Sequence, residues 1–215
     1  MIKTIIAISE IVKNGIVFDI KNWGDDHSRH SNLSENIDCL FTLFQEREIN
    51  YLLVGDLALL SYVDGRNTQD IDLILSQKDL TSLPELTIAD QNQSFVRATF
   101  DNLQVDILLT QNTLFKHISK NCTTSRQFGD LTVRCVTVEG LLILKLYALP
   151  SLYRQNKFDR ASIYENDILL LLLKYPTELQ PIWKLLQKHL LPSDITEIQE
   201  ITADIQKRIQ RFRSR

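Results

Sequence analysis

The segment Asp70-Ile71-Asp72-Leu73-Ile74-Leu75 admits few conformations. Ile71, Leu73 and Leu75 recur at period two, so the segment reads as a half-buried strand, and Asp70 and Asp72 project together from its other face. Carboxylates held side by side repel: near a protein surface, unit charges about 4 Å apart interact by up to ~4 kcal/mol. A fold that keeps them there needs water or a cation to relieve the repulsion. Magnesium suits the pair, because it takes one or two carboxylates and completes its octahedron with waters and phosphate oxygens. A solvated strand edge is the plainer reading of the same two residues.

The surroundings favour the first reading. Tyr51 to Val54 is a short apolar strand that Gly55 breaks, and Leu57 to Tyr62 reads as a short helix before a turn at Asp64 and Gly65. The N-terminus of that helix offers backbone N–H groups to a phosphate. Downstream of a connecting stretch from Ser76 to Gln93, Phe95 to Phe100 and Leu103 to Leu109 form a hairpin about Asp101-Asn102. In its second strand Val105 and Ile107 point one way and Asp106 the other, which supplies a third acid. Three carboxylates would allow two metals to be bridged, one activating an attacking hydroxyl and the other steadying a leaving pyrophosphate.

These residues resemble the DNA polymerase beta superfamily of nucleotidyltransferases, and within it the AbiEii-like proteins that act as toxins of bacterial toxin-antitoxin pairs. The likeness rests on Leu52-Leu53-Val54-Gly55-Asp56-Leu57-Ala58, then Arg66-Asn67-Thr68-Gln69-Asp70-Ile71-Asp72-Leu73-Ile74, then Val105-Asp106-Ile107-Leu108. The helical segment Val138 to Ala148, followed by Arg154, Lys157 and Asp159, is similar to the region where such proteins carry a nucleotide-facing lysine. The likeness spans about residues 35 to 170. It implies a mixed sheet flanked by helices and the two-magnesium transfer of a nucleoside monophosphate from a nucleoside triphosphate. It also implies a helical C-terminal part that helps bind substrate, with an RNA or protein hydroxyl as acceptor and an antitoxin protein as partner. Asp70, Asp72 and Asp106 would then hold metal, and Asp106 would help deprotonate the acceptor. Gly55 would let phosphates approach the backbone, and Lys145 and Arg66 would neutralise their charge.

Asp56 departs from the family pattern, which has glycine or serine after Gly55. A negative charge beside the triphosphate costs from ~1 kcal/mol in bulk water to ~4 at a protein surface, roughly one to three powers of ten in affinity. Asp56 either caps the helix or faces a metal. A catalytically inactive fold serving as a nucleotide- or protein-binding module is the alternative that this residue favours.

The other candidates are plainer. Lys145 stands in an otherwise apolar helix and either binds phosphate or snorkels to the surface. Arg66 reads equally well as a surface residue near the turn, and His117 as an exposed helix residue. Lys207, Arg208, Arg211, Arg213 and Arg215 form a basic C-terminus that is either a frayed helix end or a steering surface for RNA.

Helical spacing begins at Ser34, with Ile37, Leu40, Phe41 and Phe44, and ends near Glu46. Residues 1–30 are polar around Lys21 to His30 and read as a loop after one or two short strands. A hairpin about Gly129-Asp130 precedes a change of character at Val138. Beyond it, Leu141 to Leu149, Ile163 to Lys174, Glu178 to Leu190 and Ile195 to Phe212 read as helices, with Pro150, Pro176, Pro181 and Pro192 near their boundaries. The expected organisation is an α/β core with an N-terminal extension over 1–137 and an all-helical part over 138–215. With 44% apolar and 24% charged residues, a chain of 215 residues buries a core without disulfides or structural metal. Cys39, Cys122 and Cys135 lack metal-ligand spacing, no apolar run is long enough to span a bilayer, and Met1 to Ile8 is too short for a signal peptide. A soluble cytoplasmic protein is expected.

Overall fold

The computed structural model describes residues 28–63, 68, 70–128 and 131–213. The chain divides into two compact units, Met1–Thr137 and Val138–Arg215. Among the described residues no helix is long and apolar enough to cross a membrane.

The first unit is built on β1 (Leu52–Val54) and β2 (Asp70–Leu75), an antiparallel pair at the heart of a seven-stranded mixed sheet. The strands β3 (Thr87–Gln91), β4 (Phe95–Phe100) and β5 (Leu103–Leu109) extend it on the β2 side, and β6 (Thr123–Phe128) and β7 (Leu131–Val136) on the β1 side. The spatial order is β3-β4-β5-β2-β1-β7-β6, with β2 parallel to β5 and β1 parallel to β7. Helix α1 (Ser28–Glu46) places Ile37, Leu40, Phe41 and Phe44 in the core, where Phe44 and Tyr51 pack ring to ring at 4.9 Å. That helix starts at Ser28 rather than Ser34, so the expected loop through His30 gives way to helix at its end. The rest of residues 1–30 lies outside the described residues, as do Asp64, Gly65 and the turn Gly129-Asp130.

Short elements join the strands. Gly55 opens helix α2 (Gly55–Leu60) rather than merely ending β1, and buries Leu57, Ala58 and Leu59 behind it. The stretch expected to be a connection from Ser76 to Gln93 holds helix α3 (Gln77–Thr81), capped by the Ser76 hydroxyl, which accepts from the Asp79 N–H at 3.0 Å. It also holds β3, whose residues are all exposed and therefore carry no alternation. Helix α4 (Thr113–Asn121) is capped by Asn112, and its His117 is exposed, as its place on the polar side requires.

The second unit is all-helical: α5 (Val138–Arg154), α6 (Phe158–Lys174), α7 (Gln180–Leu186) and α8 (Pro192–Arg213). Pro150, expected at a boundary, is buried inside α5. Proline in a helix interior costs roughly 3 kcal/mol. Burying Leu141, Leu142, Ile143, Leu146 and Leu149 contributes on the order of 1.5–3 kcal/mol each, so the helix runs on. Pro192, by contrast, stands at the first position of α8, where its missing N–H costs nothing.

Candidate functional site

Strand pairing decides which side chains meet. Asp72 faces Asp106 across the parallel β2/β5 ladder, and Asp70 faces Gln104. Residues opposite one another in a ladder share a face, so Asp70, Asp72, Gln104 and Asp106 project from the same side of the sheet. The opposite side carries Ile71, Leu73, Val105 and Ile107, all fully buried. The apolar face is thus fixed by the core, and the acids have nowhere else to point.

Gly55 belongs to this arrangement. It sits at φ +67°, and a Cβ added there would lie 2.6 Å from the Cβ of Asp72. Because the clash reaches the Asp72 Cβ itself, no rotamer of Asp72 relieves it. Glycine is therefore required twice over, for its left-handed backbone and for the room it leaves Asp72. Asp56 follows in the first turn of α2 rather than at the N-cap, which is Val54, so the first of its two alternatives, capping, is not the role it fills. An acid in the first helical turn still interacts favourably with the helix dipole.

Asp70 is perturbed by its surroundings. Its Oδ1 accepts from the Thr68 hydroxyl at 2.9 Å, and its Oδ2 lies 3.4 Å from the Gln104 amide nitrogen. Burial pushes its carboxyl above the ordinary range, the Thr68 hydrogen bond pulls it back, and the charges of Asp106 and Asp56 push it further up. Asp56 is thereby part of the same electrostatic cluster.

Asp106 has a partner that the sequence reading did not name. Arg97 on β4 stands opposite it and donates two hydrogen bonds, Nε to Oδ1 at 2.9 Å and Nη2 to Oδ2 at 2.7 Å. The Arg97 guanidinium also lies 5.6 Å from the centre of the Phe95 ring on the same strand. The hydrogen bonds to Asp106 hold the guanidinium protonated even more firmly than usual, with further support from the charges of Asp70 and Asp90. Hairpin geometry contained this pair: with Phe100 facing Leu103 about a two-residue turn, three steps along each strand bring Arg97 to Asp106. Thr68 was also missed, since nothing in its local pattern marks a buried hydroxyl. Arg66 lies outside the described residues.

As the side chains stand, no three His, Cys, Asp or Glu among the described residues converge on a point that would hold a metal ion. Asp70 and Asp72, neighbours on one face of β2, are the residues that could hold a divalent cation, and both Asp106 oxygens accept hydrogen bonds from Arg97.

Lys145 belongs to the helical unit. It is 4% exposed, its Nζ lies 2.8 Å from Asp167 Oδ2, and it sits 4.4 Å from the centre of the Tyr164 ring. It does not snorkel: its charge is compensated inside the unit by an acid and an aromatic face. In the basic C-terminal segment of α8 the Arg213 guanidinium donates to the Leu173 carbonyl at 2.9 Å, and Lys207 pairs with Asp204. Arg215 lies outside the described residues.

The mixed sheet with its acid-bearing strands and all-helical C-terminal part is a nucleotidyltransferase fold. An antigenic nucleotidyltransferase-like protein from Paracoccidioides brasiliensis superposes with a TM-score of 0.50 at 12% identity, over 90% of this chain and 94% of that one. The antibiotic-resistance factor ANT(2")-Ia, in complex with adenylyl-2"-tobramycin, gives 0.49 at 13% identity over 80% and 95%. The lincosamide antibiotic adenylyltransferase LnuA bound to lincomycin gives 0.39 at 15% over 51% and 83%. The likeness is one of fold alone, and it lends no support to the AbiEii-like subgroup. No family model matches the sequence, and no curated protein matches it.

Proposed function

We propose that this chain transfers a nucleoside monophosphate from a nucleoside triphosphate to a hydroxyl acceptor. The observation that carries the reading is the registered juxtaposition of Asp70 and Asp72 with Asp106 on one face of the sheet, with Gly55 making room for Asp72. Asp70 and Asp72 would hold magnesium, which when bound supplies charge neutralisation to the triphosphate. The acceptor oxygen attacks the α-phosphorus, the bond to the bridging oxygen breaks, and pyrophosphate leaves. The acceptor proton passes to Asp106, whose oxygens each keep a lone pair beyond the one that Arg97 uses. The acceptor we assign is an RNA or protein hydroxyl, with an antitoxin protein as partner and the cytoplasm as the place of action, following the AbiEii-like resemblance of the sequence motifs.

A second reading, a fold kept as a nucleotide- or protein-binding module, is favoured by Asp56, which adds negative charge to a cluster that already strains Asp70. Incubation with α-labelled nucleoside triphosphates, magnesium and cellular RNA or protein separates the two. Label in the macromolecular fraction that disappears in Asp70→Ala, Asp72→Ala supports transfer. Binding of nucleotide with no transfer to either class supports the module.

A further inference from the structure

We propose that Arg97 serves as a built-in cation of the acidic cluster, so that the site takes one divalent ion, on Asp70 and Asp72, rather than two. The proposal rests on the nucleotidyltransferase reading and narrows it. A third carboxylate on the strand beside an Asp-x-Asp pair draws a second metal only while its negative charge is unmet. Here both oxygens of Asp106 receive the fork of one guanidinium, at 2.9 and 2.7 Å.

Backbone register and an aromatic neighbour favour that geometry, although the Arg97 side chain is 42% exposed. Asp106 is only 9% exposed and stands directly across the antiparallel ladder from Arg97, so backbone pairing sets the distance between them. The Phe95 ring flanks the guanidinium. A second divalent ion drawn to Asp106 would lie against this guanidinium, and like charges a few ångströms apart repel.

The charge balance runs the same way. Asp56 and Asp106 both bear on Asp70, and Arg97 feels Asp70 as well as Asp106. One permanent positive charge already sits within the cluster, so fewer mobile ones are needed to neutralise it. Unlike a metal, this cation is not lost to a chelator.

Manganese titrated into the full chain, with the free ion followed by its electron paramagnetic resonance signal, counts the ions held. The native protein is expected to hold one ion per chain, and Asp70→Asn, Asp72→Asn none. Arg97→Gln, or Arg97→Met should the glutamine variant fail to fold, removes the built-in charge and is expected to hold two, while Arg97→Lys, which keeps the charge, stays at one; two ions on Arg97→Lys would overturn the role of that charge. Two ions on the native protein that are lost in Asp70→Asn, Asp72→Asn would overturn the role of Arg97 and leave the nucleotidyltransferase reading standing. One ion on Arg97→Gln, as on the native protein, would also overturn it. No ion on the native protein would overturn both.

Discussion

Asp70 carries a cost in the first unit. Its carboxyl is pushed above the ordinary range, first by burial and then by Asp106 and Asp56, against the pull of Thr68. A carboxyl whose folded pKa is raised binds its proton more tightly in the native state than in the unfolded chain. Stability is therefore lost as pH rises above about 3.9, the usual aspartate value, up through the folded value, and no penalty exists below that window. Asp70→Asn removes the charge while keeping the shape, so it is expected to raise the melting temperature at pH 7, with the gain shrinking toward zero as the pH falls below about 4. Thermal denaturation across that range checks it, and a variant less stable than native at pH 7 would contradict the assignment. A residue that lowers stability where it stands is a mark of a site rather than of a core.

Among the elements, β2 was legible because one face is buried and the period of two leaves a single register. The β4/β5 hairpin was legible from its turn, yet Arg97 was overlooked because the strands were read singly and not as a ladder. Strand β3 was invisible for a physical reason: an edge strand with every residue exposed has no hydrophobic alternation to detect. Pro150 misled because backbone propensity was weighed ahead of the apolar face that overrides it.

The helices α5 and α6 meet around Lys145 and Asp167, the latter fully buried. Removing one member leaves a buried charge, so Lys145→Met alone is expected to cost about 3–5 kcal/mol. Replacing both, as Lys145→Met, Asp167→Leu, is expected to recover most of that loss, since apolar pairs of similar volume replace buried ion pairs well. Chemical denaturation of the single and double variants measures both values. A double variant as unstable as the single one would show that the pair organises its helices rather than merely neutralising itself.

At the level of the whole molecule, the α/β character of the first unit and the helical character of the second both follow from hydrophobic period, which changes from two to about 3.6 after Val136. The candidate site was legible in its acids and in Gly55, because those residues break the local apolar pattern. Its electrostatics were not, since the distances among Asp56, Asp70, Asp106 and Arg97 exist only once strands are paired. The fold by itself hosts many chemistries, and the chemistry assigned here belongs to this one acidic face.

Calorimetric titration of each nucleoside triphosphate in magnesium, into the native protein and into Asp70→Ala, Asp72→Ala, tests that assignment most directly. Saturable binding to the native protein that is abolished in the double variant is the result expected. Equal binding to both proteins, or none to the native protein at millimolar nucleotide, would contradict a metal-dependent nucleotide site at Asp70 and Asp72.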